Sequence, residues 1–307
     1  MRAPNADTLT HHYTAYGFTV ASELPLPELL DAAIDGPAEV RFRLGKFDPT
    51  PPAEIAGHPD AWAIREAAMM RFEHGAGFLV RNGREIIIDR GPNIAEETLR
   101  MLLLGPVLGT LLAQRGLLVL HGSSAVIDGQ AVAIVADKGT GKSTLAAAFH
   151  AAGYGVATDD LVAVDVDAPG GPMVYPGFPQ LKLFPEAAAQ ISARPHELLR
   201  VSPELDKRAC RTTAAFPQER LPLRRVYSLA DGPSETIQPL SPQKAFFELV
   251  KHTFVLSMVR ATGQESAHFR QTISLARSIP INQLQRRRLL SVLPSVVELV
   301  RADLAAA

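Results

Sequence analysis

Cysteine and tryptophan each occur once in 307 residues. A lone Cys210 excludes an intrachain disulfide and a multi-cysteine zinc site. It also removes the usual reason to read a chain as a secreted scaffold stapled by bridges. A basic excess is missing too. The formal net charge is -1, whereas a general nucleic-acid binder carries a cationic surplus. Long apolar runs are absent. The most hydrophobic stretch, residues 101–113, is broken by Gly105-Pro106 and bounded by Arg100 and Arg115. A bilayer span needs about 20 apolar residues, so a buried helix is expected there. Residues 1–10 are polar and lack the apolar segment of a secretory signal. His11-His12 have no partners at metal-ligand spacing. Trp62 and the phenylalanines lack the interleaved basic residues of a base-stacking stripe and read as core. A cytoplasmic protein with neither nucleic-acid nor membrane partners is expected.

What is present is apolar mass: 47% of the residues are hydrophobic, enough for a sizeable core. The pattern suggests an N-terminal α+β domain over residues 1–114 and a catalytic domain over 115–307. In the first, residues 40–44 alternate like a half-buried strand. Residues 78–80 and 85–88 flank Asn82-Gly83, a hairpin signal. Residues 47–59 are proline-rich and read as loop. Asn93 to Glu96 reads as a capping box opening a helix to about residue 113, ended by Gly116. In the second, a short strand at 117–120 precedes a hairpin of 124–128 and 131–135. A helix at 142–152 and strands at 156–160 and 161–166 follow. Residues 168–179 read as loop, 180–184 as strand, and 185–192 and 195–199 as short helices. A strand at 223–229, helices at 242–258 and 264–277, a strand at 279–284 and a helix at 289–304 complete the expectation.

One segment carries chemistry. Ala136-Asp137-Lys138-Gly139-Thr140-Gly141-Lys142-Ser143, followed by Thr144, fits G-x-x-x-x-G-K-[ST] apart from Ala136, with an apolar strand before it and a helix after. Glycines let backbone N–H groups turn inward as an anion nest, and the helix N-terminus adds partial positive charge. Residues 137–144 are therefore the expected nucleotide-binding loop, with Lys142 on the β- and γ-phosphates and Ser143 on Mg²⁺. Asp159 and Asp160 come at the end of the next strand, and strand ends are where open α/β sheets bind ligands. One carboxylate can orient Mg²⁺ while the other accepts a proton from an attacking hydroxyl. His121, at the end of strand 117–120, is placed to hydrogen-bond Asp159.

Leu120-His121-Gly122-Ser123, the loop ending Gly139-Thr140-Gly141-Lys142-Ser143, and Ala157-Thr158-Asp159-Asp160 together resemble the catalytic core of bacterial HPr kinase/phosphorylase. The resemblance covers about residues 117–166. It implies an α/β fold: a P-loop kinase domain of HPr kinase / phosphoenolpyruvate carboxykinase type, with a smaller strand-rich N-terminal domain. It also implies Asp159 as general base, His121 as its partner, Lys142 as phosphate ligand, and Ser143 and Asp160 on the metal. ATP or another nucleoside triphosphate and Mg²⁺ are the implied cofactors. Thr144 stands where that family usually carries an acidic residue, and Gln180-Leu181-Lys182-Leu183 where it carries Glu-x-Arg. The wider chain is similar to the HPr-kinase-related proteins of lasso peptide gene clusters. Tyr16-Gly17-Phe18, Ser22 to Leu29, Arg115-Gly116, Lys207-Arg208 and Leu240-Ser241-Pro242 carry this second likeness. It implies phosphorylation of the C-terminal serine of a precursor peptide. The alternatives are an HPr-type or small-molecule kinase, and a non-catalytic nucleotide-sensing module. Homo-oligomer formation is left open.

Residues 194–225 are rich in arginine and lysine and read mostly as a solvated loop. Lys207 and Arg208, with Lys182, are singled out as a substrate or phosphate clamp. Arg286-Arg287-Arg288 reads as a solvated strand end.

Overall fold

The structure, a computed structural model, describes residues 11–33, 36–52, 60–73, 75–192, 194–254 and 256–306. The polar segment 1–10 and most of the proline-rich segment (53–59) lie outside the described residues. Along the chain run β1 (His11–Ala15), β2 (Phe18–Ser22), β3 (Leu30–Asp31), β4 (Val40–Leu44), β5 (Ala61–Ala63), β6 (Ala67–Arg71), β7 (Gly77–Arg81), β8 (Glu85–Asp89), α1 (Glu96–Leu102) and α2 (Leu108–Gln114). Then come β9 (Leu118–Ile127), β10 (Gln130–Val135), α3 (Lys142–Ala151), β11 (Gly155–Thr158), β12 (Leu161–Asp165), β13 (Met173–Tyr175), β14 (Gln180–Leu183), α4 (Pro185–Ala188), β15 (Arg200–Ser202) and β16 (Leu205–Arg211). The chain ends with β17 (Leu221–Asp231), β18 (Thr236–Pro239), α5 (Pro242–Lys251), α6 (Leu256–Ala261), α7 (Glu265–Ser278), β19 (Ile281–Arg286) and α8 (Leu293–Ala305). No helix among the described residues is long and apolar enough to cross a membrane.

Contacts divide the chain into two units, residues up to 116 with 256–265, and residues 117–254 with 266 onward. The first unit is built on an eight-stranded sheet in the order β3-β1-β2-β4-β8-β7-β6-β5. Asn82 and Gly83 both take positive φ (52° and 61°) in the β7–β8 hairpin, the conformation an Asn-Gly turn favours. The apolar segment forms a helix kinked where Gly105 leaves helical geometry before Pro106, since proline removes a helical donor and clashes with the preceding turn. Its start differs from expectation. The N-cap is Ala95, with no side-chain cap, and Asn93 lies outside the helix.

The second unit holds the phosphate-loop sequence. Its main sheet runs β10-β9-β12-β13-β17-β19-β18, and β10 also pairs with β17, so β10, β9, β12, β13 and β17 close into a ring. β10, β17 and β19 are mutually parallel. One core fills the ring's interior and the side under α5 and α7, with Leu120, Val135, Val162, Val226, Leu249 and Leu275 fully buried. The other lies between the sheet and α3 and α8, around Ile134, Leu145, Phe149, Tyr227 and Val296. A separate three-stranded sheet, β14-β16-β15, packs on α3 and α4.

Several elements depart from the sequence pattern. Residues 118–127 form one ten-residue strand rather than a short strand and half a hairpin. The glycine and serines at its centre are buried and pair with β10 along one edge, and Ser124 also pairs with β11 on the other. The basic segment 194–225 is not a loop but contributes β15, β16 and the start of β17. The expected helix 242–258 breaks after Lys251 into α5 and α6. There the Phe254 N–H bonds to the Val119 carbonyl and Thr253 bridges to Leu120, so sheet pairing outcompetes another helical turn.

The last helix is tied down by one acid. Asp303 on α8 accepts from the Tyr227 hydroxyl at 2.7 Å and pairs with Arg225, which is 5% exposed. Replacing Asp303 by alanine leaves that guanidinium buried without its counter-charge. Because Asp303 itself is partly exposed, the expected loss is about 2–3 kcal/mol. It should appear as a lower urea midpoint, and an unchanged midpoint would remove this role.

Candidate active site

The loop between β10 and α3 takes the conformation its glycines allow. Gly139 and Gly141 have φ of 84° and 103°, and Gly141 is the N-cap of α3. The Thr140 N–H closes a turn onto the Asp137 carbonyl at 3.3 Å. Lys138 and Gly139 are exposed. The Lys142 side chain folds back under the loop and donates to the Ala136 and Asp137 carbonyls at 2.8 and 3.2 Å. Burial pushes its pKa down, against the raising charges of Asp159 and Asp160. Lys251 at the end of α5 holds Asp137 at 2.8 Å, and this bond keeps the Asp137 carboxyl below its usual range.

Both aspartates sit in an interruption between two strands that run along the same edge of β9. β11 pairs Thr158 with Ser124, and β12 pairs Leu161 with His121. Asp160 occupies the step between them at φ 71°, a conformation aspartate tolerates better than most residues. This register sets the Asp159–Asp160 step opposite residues 122 and 123. Asp159 is 4% exposed and receives three donors. Ser123 Oγ and Ser143 Oγ donate to Oδ1 at 2.6 and 2.9 Å, and the Lys182 N–H donates to Oδ2 at 3.1 Å. Burial and the neighbouring Asp160 charge raise its pKa, outweighing those hydrogen bonds.

Asp160 behaves oppositely. Burial pushes it up, but Lys182 Nζ at 2.6 Å, with the charges of Lys207 and His121, holds it at about 2. The two carboxyls are thus driven apart: one stays ionised, and the other has the raised affinity for a proton that acid–base work needs.

His121 is not the hydrogen-bond partner of Asp159. Ser123 takes that place on the same face of β9, two residues on, where the register brings it to the aspartate. The His121 N–H bonds to the His252 carbonyl at 2.7 Å, and its ring packs edge-on against Phe254. Burial and the nearby Lys142 push the ring's pKa down to about 4 despite Asp160, with His252 and Lys207 adding to the effect.

Ser143, with Asp160 the expected metal pair, is joined to Asp159 instead, while Asp160 is joined to Lys182. A cation here would share the Asp160 carboxylate with the Lys182 ammonium. The Ser143 proton is committed to Asp159, which leaves the oxygen lone pairs free. No group of three His, Cys, Asp or Glu side chains among the described residues is arranged to cage an ion. Magnesium, which takes one or two protein ligands and completes its shell with phosphate and water, fits such a site. Ser143 and Asp160 are the residues that would hold it. Thr144 lies in the first turn of α3, partly buried.

The three clamp candidates separate. Lys182 is committed to Asp160. Arg208 is 9% exposed and held by Asp206 at 2.7 Å. Lys207 has no acid partner among the described residues; its ammonium lies 5.6 Å from the centre of the Phe184 ring, and its charge reaches His121, Lys142 and Asp160. Ser123 and two arginines of the expected solvated strand end also converge here, and Arg286 is buried rather than solvated. Arg286 and Arg288 donate to the Thr140 and Gly139 carbonyls at 2.7 Å each. The Arg286-Arg287-Arg288 run was the available signal, and its proximity to the loop was not readable from 146 residues of separation.

No family model and no curated protein matches the chain. Among solved structures, the Hpr(Ser) kinase/phosphatase from Coxiella burnetii aligns over 61% of this chain and 97% of its own, at 12% identity and a TM-score of 0.34. That overlap is too loose to carry over an activity.

The His121 ring gives a direct check of the site's electrostatics. Its NMR titration midpoint is expected near pH 4, and a midpoint near 6.5 would mean a solvated ring. Between these values the unfolded chain binds the proton that the folded ring refuses. This group therefore lowers stability as pH falls from about 6.5 to 4, and His121→Gln should flatten that part of the stability profile.

Proposed function

We propose that the chain is a kinase that transfers the terminal phosphoryl group of ATP to a serine hydroxyl, with the C-terminal serine of a ribosomal (lasso) precursor peptide as acceptor. The observation that carries the reading is Asp159: a buried carboxyl of raised pKa, bonded to the serine that follows the phosphate-loop lysine. A carboxylate offers about four acceptor positions. Oδ1 already accepts two hydrogen bonds and Oδ2 one, so the remaining position on Oδ2 is where an acceptor proton lands.

The serine oxygen attacks the terminal phosphorus in line. The bond from that phosphorus to the bridging oxygen breaks, the nucleoside diphosphate leaves, and the serine proton passes to Asp159. Lys142 exchanges its two loop carbonyls for β- and γ-phosphate oxygens. Bound magnesium supplies neutralisation of phosphate charge. Ser123 and the Lys182 amide hold Asp159 in place, and Lys182 keeps Asp160 ionised. Lys207, with no acid partner among the described residues, is a cation that could take the acceptor's terminal carboxylate. The peptide acceptor is supported by the sequence likeness at residues 16–18, 22–29, 115–116, 207–208 and 240–242.

The test is mass spectrometry of a synthetic precursor peptide ending in serine, incubated with ATP and Mg²⁺, beside HPr and small hydroxylated metabolites. The expected result is gain of one phosphoryl group on the peptide's terminal serine. Nucleotide binding without any phosphorylated product would replace the kinase by a nucleotide-sensing module. Asp159→Asn should abolish product while nucleotide binding persists, and transfer at the parent rate would refute the base. Lys142→Met should lower turnover by about 10²–10³, the scale of a lost electrostatic clamp.

A further inference from the structure

The proposed nucleotide site explains the residues of the loop itself, but not what holds the loop's apex. The Arg286 backbone is fixed at the end of β19 by pairing with Asp231 on β17, and the Gly232 N–H bonds to its carbonyl at 2.9 Å. Its guanidinium, on a residue 4% exposed, donates to the Arg287 carbonyl at 3.0 Å and to the Thr140 carbonyl at 2.7 Å. Nε is buried without a partner among the described residues. The fit against the loop is close: a Cβ on Gly141 would come within 2.5 Å of Arg286 Nη2. Arg288 makes the neighbouring contact, to the Gly139 carbonyl, but its side chain is 66% exposed and shared with Asp231.

Peptide geometry gives this contact a consequence. In a trans peptide the C=O of one residue and the N–H of the next point in opposite directions. Drawing the Thr140 carbonyl toward Arg286 therefore turns the Gly141 N–H away from the arginine. That amide makes no hydrogen bond within the described chain, and it belongs to the set whose inward orientation makes an anion nest. At positive φ Gly141 has many alternative conformations, so an outside anchor is what selects this one.

We propose that Arg286 is a positioning residue for phosphate binding: by holding the Thr140 carbonyl from a rigid strand, it presets the Gly141 amide toward the polyphosphate. This rests on the phosphate-loop reading above. The site it serves takes a polyphosphate, and the arginine acts through the backbone rather than touching the anion.

The test measures Kd for inorganic tripolyphosphate and for Mg-ADP by calorimetry in the parent, Arg286→Met, Arg286→Lys and Arg288→Ala. Arg286→Met should weaken both by about tenfold or more, the loss expected for a charge-assisted hydrogen bond. Arg286→Lys should recover most of this, leaving roughly a threefold deficit, because one ammonium replaces a fork that spans two carbonyls. Arg288→Ala should change Kd by less than about threefold, as an exposed contact does. The Gly141 amide resonance should move in Arg286→Met without ligand, while α8 amides stay in place. Arg286→Met binding tripolyphosphate as the parent does would overturn the proposal. If that variant does not fold, an unchanged Kd in Arg286→Lys overturns it instead. A parent that binds neither probe refutes the phosphate-loop reading itself, a result distinguishable from loss of the arginine's role.

Discussion

The second unit is organised around one buried carboxylate with three donors from three separate elements. Ser123 comes from the middle of β9, Ser143 from the first turn of α3, and the Lys182 amide from β14. An ionisable group that is 4% exposed is expensive unless its acceptor positions are filled. Filling them requires the ring sheet, the phosphate-loop helix and the small sheet to be correctly placed at once. Asp159 therefore makes the site geometry a condition of folding: a displaced β14 or α3 strands an acceptor in the interior.

The same cluster separates two chemically identical side chains. Asp160 has an ammonium at 2.6 Å, while Asp159 has only neutral donors and a like charge beside it. The difference follows from the left-handed step at Asp160, which sends adjacent side chains to different surroundings. Unequal proton affinity across a dyad is what lets one carboxylate remain an anion while its neighbour exchanges a proton. The histidine nearby adds no charge at neutral pH, because burial and Lys142 keep it unprotonated.

Local chemistry was legible where one segment decides the outcome. The Asn82-Gly83 turn needs only its own backbone freedom, and the strand, glycine loop and helix at 130–151 follow from apolar pattern and glycine placement. Legibility failed where a distant partner decides. Asn93 looked like a cap, yet the chain enters α1 at Ala95. The arginines of 194–211 suggested solvent, yet β16 pairs residue for residue with β14, register Lys182 to Ala209. The helix after Pro242 stopped at Lys251 because β9 offered backbone partners to Thr253 and Phe254.

Sequence alone determined the residue types of the site: glycines able to take positive φ, a lysine and a serine at a helix start, and an aspartate pair after the next strand. These depend on spacings of a few residues, which backbone geometry makes predictable. Tertiary structure decided which groups meet. It set Ser123 rather than His121 against Asp159, Lys182 against Asp160, and Arg286 against the loop apex, because strand register and chain crossings over many tens of residues select partners that no local pattern encodes.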